Sequence, residues 1–254
     1  MNLRHVTAAF ALFVASYLPT QATAGETLKI ATEGAYAPFN MTNAKGHLIG
    51  FDVDIANALC VQMQVQCEIV QQDWQGIIPA LNAGAFDAIV ASMSITEARL
   101  KEVDFTHPYY SNRLAFVAAK ADEFATDNNS LQGKALGAQR DTIAGNYLER
   151  ELGKVVDVKL YDTQQEAYAQ LVTGQLDGLV SDKLPAYDWI NSAAGSAFEF
   201  KGKPIESKTL DQIAIAVRKS DTALKERFNT AIEAIVSNGT YARINARYFP
   251  FSIY

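Results

Sequence analysis

The stretches QGIIPALNAGAFDAIVAS (residues 75–92) and EAYAQLVTGQLDGLVSD (residues 166–182) follow one plan. Each runs from a helical segment to a glycine, an apolar residue, an aspartate and then a short apolar strand. A helix that closes on glycine and feeds a strand is half of an α/β unit. Because the plan occurs twice and no more, it predicts two similar lobes and excludes a repeat array.

The same rhythm extends outward from both copies. In the first half LKIAT (28–32) reads as a strand, FDVDIANALCVQM (51–63) as a helix, CEIVQQ (67–72) as a strand and DAIVASM (87–93) as a strand. After residue 113 it restarts with strands at LAFVAAK and KALGA (134–138), a helix at TIAGNYLEREL (142–152) and a strand at VDVKLYD (156–162). TQQEAYAQLVTG (163–174) carries a Thr163/Glu166 capping box and a terminal glycine. A strand over 176–182 leads into the helix KLPAYDWINSA. One more strand, IAIAVRK (213–219), precedes two helices near 221–236 and 239–248. The expected fold class is therefore α/β, with each lobe a sheet flanked by helices.

The first 24 residues stand apart. Arg4 and His5 precede an apolar run over 8–18, and Ala22-Thr23-Ala24 supplies small residues before Gly25. This is the layout of a secretory signal peptide, too short to span a membrane comfortably. Its removal takes one arginine and no acid, leaving 21 basic against 28 acidic residues, a net charge of −7. An acidic exported chain without a basic stripe is not built for nucleic acid. Cys60 and Cys67, an even pair in an exported chain, are expected to form a disulfide. His5, His47 and His107 are isolated, so no metal site is expected.

In sheets of this type ligands gather at the carboxyl ends of strands. Ser92, Ser94 and Asp182 fall there. A free amino acid needs a guanidinium for its carboxylate, an acid for its ammonium and apolar walls for its side chain. Arg99, Asp182, Tyr36 and Trp74 supply those groups. The turn AQRDTIAG (138–145) places the N–H groups of Thr142 and Ile143 where they can face an anion. Each residue also has a plainer reading. Ser94 with Glu97 fits a capping box, Arg99 can pair with Glu97 or Glu102, Thr142 and Asp182 can be helix caps, and both aromatics can be core.

The motifs SITEAR, GFDVDIANALC, YAPF, WQGIIPAL and NGTYARINARYF, taken together over essentially the whole mature chain, resemble the periplasmic polar-amino-acid-binding proteins of ABC transporters. Within that family the sequence is most similar to the lysine/arginine/ornithine- and histidine-binding branch, which also carries the short-loop cysteine pair. The resemblance implies two lobes joined by two hinge strands, with residues 25–111 and 213–254 in the first and 112–212 in the second. It implies closure on one ligand, delivery to an inner-membrane permease, a monomer in the periplasm and no cofactor. It assigns Arg99 to the α-carboxylate, Ser92 and Ser94 to the strand-end hydroxyl pair, and Asp182 to the α-ammonium. Tyr36 and Trp74 become the walls, and Thr142 the hydroxyl at the helix start. Ala91 replaces a frequent serine, Asp141 a common glycine, and Ile143 a polar residue. Gln139 is placed to meet a long ligand. Glu33 matches the acid that faces a distal cation, which favours arginine, ornithine or lysine, with histidine included.

Two other classes compete. A guanidino compound larger than an amino acid, such as an opine, needs the same acid. Exported dehydratases share the expected fold, but the chain has no Ser/His/Asp arrangement and no phosphate loop. A non-enzymatic carrier is expected. No transmembrane helix or kinase follows the binding module, which argues against a built-in sensor.

Overall fold

The structure, a computed structural model, describes residues 25–206 and 211–254. The expected signal peptide over residues 1–24 lies outside the described residues.

Two five-stranded sheets repeat one topology. In the first, Thr27–Thr32 lies between Gln66–Gln71 and Ala88–Ile89, all parallel, and Ala216–Val217 and Asp104–Phe105 complete it. In the second, Ala135–Gln139 lies between Asp157–Tyr161 and Gly178–Asp182, again parallel, followed by the antiparallel Leu114–Ala119 and Phe198–Ile205. The duplicated sequence plan explains the repetition. Gly84 and Gly174 have φ of +79° and +73°, the left-handed conformation that ends each helix at low cost. Asp87 and Asp177 then accept the backbone N–H of Lys29 and Ala135 respectively, pinning each incoming strand to its neighbour.

The chain leaves the first sheet through Tyr110–Asn112 and returns through Asp211–Ile213, which pair with each other as a separate antiparallel ladder. Core residues pack on both faces of each sheet. Ile30, Leu59 and Phe228 belong to one side of the first sheet, with Ile77, Leu81 and Met93 on the other. Leu136 and Leu148 pack on one face of the second sheet, with Leu171 and Leu179 on the other. Burying each of these large side chains favours folding by about 1.5–3 kcal/mol before entropy is counted. The Cys60–Cys67 disulfide is present and joins the end of helix Phe51–Met63 to strand Gln66–Gln71.

Several elements differ from the sequence reading. The expected strand 87–93 is regular only over Ala88–Ile89, and beyond it Ser92 turns to φ +53°. The expected helix 142–152 divides into Ile143–Tyr147 and a π-helical turn, Leu148–Leu152. The expected strand 213–219 is interrupted, its two ends belonging to the crossing ladder and to the first sheet. Strand Phe198–Ile205 and a small sheet of Ala35–Tyr36, Asn40–Thr42 and Leu48–Ile49 gave no strong alternating pattern to read. The capping box at Thr163/Glu166 is present in full.

Candidate functional site

The carboxyl ends of the parallel strands in both sheets face a common cavity. From the first half of the chain it is lined by Glu33, Tyr36, Trp74, Ala91, Ser92, Ser94 and Arg99. From the second it is lined by Gln139, Thr142, Ile143 and Asp182. The strand ends account for the convergence: Glu33 follows Thr27–Thr32, Gln139 ends Ala135–Gln139 and Asp182 ends Gly178–Asp182.

The competing local roles resolve one by one. Thr96, not Ser94, caps the short helix Glu97–Leu100, accepting the N–H of Arg99. The Arg99 guanidinium lies 5.0 Å from the centre of the Trp74 ring, a cation–π distance. It donates to the carbonyls of Ser94 at 2.8 Å and Asp141 at 3.1 Å, and not to Glu97 or Glu102. Burial lowers its pKa to about 10, with Asp182 and Asp141 acting against that shift, so it is a full cation at neutral pH. Thr142 does cap its helix, accepting from Gly145 N–H at 3.1 Å, while it donates to the Gln139 carbonyl at 2.7 Å. Asp182 occupies the first cap position of helix Lys183–Ile190 and makes no side-chain capping bond there. Its Oδ2 accepts the Tyr36 hydroxyl at 2.6 Å. Tyr36 therefore sits in the small sheet, one edge in the core and its hydroxyl at the cavity.

Glu33 is only 4% exposed. Burial raises its pKa to about 7; the hydrogen bond from Gln139 opposes the shift and nearby Asp73 adds to it. The Gln139 amide donates to Glu33 Oε1 at 2.6 Å and to the Asp162 carbonyl at 3.1 Å.

Sequence reading missed the backbone of Asp141 and the contacts around it. The Asp141 carbonyl accepts from both Trp74 Nε1, at 3.2 Å, and Arg99 Nη2. Asp141 holds φ +58°, the left-handed conformation to which a glycine at that position is suited. The departure from glycine was therefore the available signal. Gln75 and Asp162 form a further bond between the two halves, at 2.9 Å.

Residues 28–251 match the model of the bacterial extracellular solute-binding proteins, family 3. The chain belongs to this family. The L-arginine-binding protein of Pseudomonas aeruginosa is 42% identical over 250 residues, covering 97% of this chain and 96% of the relative. The lysine/arginine/ornithine-binding periplasmic protein of Escherichia coli is 35% identical over 233 residues, 90% of each. Among solved structures, an ancestral arginine-binding protein bound to arginine superposes with a TM-score of 0.82 at 32% identity, over 89% of this chain and all of that one. The two-lobed binding-protein fold expected for the family 3 chain is the fold of this neighbour.

Proposed function

We propose that this family 3 protein is a periplasmic carrier that captures a cationic amino acid between two lobes and delivers it to an ABC transporter permease. The favoured ligands are arginine, ornithine and lysine, with histidine included. The first lobe comprises residues 25–111 and 213–254, the second 112–212, and the crossing strands between them form the hinge.

One observation carries the reading: two carboxylates, Glu33 and Asp182, share a cavity with one guanidinium, Arg99. The complement is a molecule with one carboxylate and two cationic groups. Arg99 grips the carboxylate, assisted by Ser94 and Thr142. Asp182 and Ser92 take the α-ammonium. The stem packs along Tyr36 and Trp74 beside Ala91 and Ile143, and the distal cation meets Glu33 next to Gln139. The names of the arginine- and lysine/arginine/ornithine-binding relatives support the same ligand class.

The protein acts as a monomeric carrier without a cofactor, and no residue of the cavity is assigned to catalysis. A second reading, a larger guanidino compound such as an opine, is favoured by an open cleft that adjoins the cavity. The cleft shares Glu33 and Trp74 with the cavity.

The test is a thermal-shift screen of the mature protein against all amino acids and a set of guanidino compounds. Ligand at a hundred times its Kd stabilises the folded state by about 2.7 kcal/mol. Stabilisation by arginine, ornithine or lysine and not by glutamate is the expected result. No shift with any cationic amino acid would overturn the reading.

A further inference from the structure

Asp52 does not line the cavity, yet two of the segments that build it, and the chain entering the crossing strand, converge on its carboxyl group. It lies in the first turn of helix Phe51–Met63 and is 0% exposed. Its Oδ2 accepts from Asn40 Nδ2 and from Ser92 Oγ, both at 2.9 Å, and its Oδ1 accepts the Tyr109 hydroxyl at 2.7 Å. Asn40 Oδ1 in turn accepts the Gly34 N–H at 2.8 Å. One buried carboxyl thus ties down the loop that carries Glu33 and Tyr36, the strand end that carries Ser92, and the chain entering the crossing strand.

The chain of bonds also fixes a polarity. With Asn40 Oδ1 engaged by a backbone donor, the Asn40 amide can offer Asp52 only its N–H group. Oδ2 already accepts the Asn40 N–H, a group that can only donate, so it is the unprotonated oxygen of the carboxyl and Ser92 donates to it. A serine hydroxyl has one proton, and this one is directed away from the cavity. Toward the cavity Ser92 presents lone pairs. Ser92 also holds φ +53°, a backbone conformation uncommon outside glycine, so its placement depends on being held.

We infer that Asp52 is a positioning residue for ligand recognition. By taking the Ser92 hydroxyl proton it makes Ser92 an acceptor, matched to the α-ammonium of a bound amino acid and mismatched to its carboxylate. The inference rests on the proposed cationic amino-acid ligand and adds the device by which the ligand's head is oriented.

The experiment compares two probes by calorimetry on the mature protein: L-arginine and 5-guanidinopentanoate, the same molecule without its α-amino group. Asp52→Ala is expected to weaken arginine at least tenfold and the des-amino probe less than threefold, since the latter has no ammonium for Ser92 to accept. Ser92→Ala should show the same contrast, and the double variant should be no weaker than Ser92→Ala alone. Asp52→Asn, which keeps a carbonyl oxygen toward Asn40 and Ser92, should recover at least half of the loss on a logarithmic scale. Equal losses for both probes, or additive losses in the double variant, would make Asp52 a purely structural residue. If Asp52→Ala does not fold, Ser92→Ala alone still reads the contrast, and a des-amino loss equal to the arginine loss in that variant overturns the inference. Wild-type protein that binds neither probe would overturn the functional reading and this inference with it, a result distinct from equal losses.

Discussion

The Tyr36 hydroxyl donates to Asp182 at 2.6 Å although the two residues are 146 positions apart. One belongs to the small sheet of the first half and the other ends a strand of the second. This bond joins the two halves through a residue proposed to hold the ligand's ammonium. A hydrogen bond to a charged group contributes about 1.5–3 kcal/mol. Tyr36→Phe should therefore shift the ligand-free protein toward an open form, seen as a larger radius of gyration in solution scattering. An unchanged scattering curve would show that the bond does not hold the halves together.

Arg99 donates to two carbonyls and stacks over Trp74, contacts made at the wall of the cavity. Arg99→Ala should leave the melting temperature within a few degrees of wild type. Loss of a two-pronged contact with a carboxylate, about 1.5–3 kcal/mol per bond, should weaken arginine more than a hundredfold. A protein that melts much lower and still binds would make Arg99 a structural residue.

Burial raises the pKa of Glu33, the residue proposed to meet the ligand's distal cation, from 4.5 to about 7, so binding should depend on pH. The ionised form of Glu33 is the one that meets a cation, so arginine affinity should rise about tenfold between about pH 6 and pH 8 and level off above that. Stability of the free protein moves the other way. A carboxyl whose folded pKa is raised favours the folded state below its unfolded pKa. That contribution disappears as pH climbs through about 7. Titration calorimetry and melting curves over this range check both signs. Glu33→Gln should abolish both dependences, and a pH profile that survives the substitution would assign it to another group.

Glu33→Gln should also separate ligands at a single pH. Arginine should lose roughly ten- to a hundredfold, the fold-change of one charge-assisted bond, while citrulline, its neutral analogue, changes little. Equal losses for the two would remove Glu33 from selectivity.

Cys60 and Cys67 close a loop seven residues apart in sequence. On the chain-entropy account the crosslink stabilises the fold by roughly 2–3 kcal/mol. For a chain of this size Cys60→Ser with Cys67→Ser should lower the melting temperature by about 5–10 °C. Arginine affinity should be unchanged, because neither cysteine lines the cavity.

The sequence by itself determined the duplicated α/β plan, the helix Phe51–Met63, the capping box at Thr163 and the cysteine pair. These are encoded by residues a few positions apart, where periodicity, φ preference and capping chemistry act locally. It also placed the polar residues at strand ends, from which their convergence on one cavity follows once two sheets face each other. Only the tertiary structure decided that Thr96 caps the Arg99 helix, that the Asp141 carbonyl receives both Trp74 and Arg99, and that Gln139 reaches Glu33 across 106 residues. It alone raised the Glu33 pKa, because that shift is a property of burial and not of composition. Local sequence fixes what each strand end carries. The distance between two such ends is set by how the halves pack, and no run of neighbouring residues encodes it.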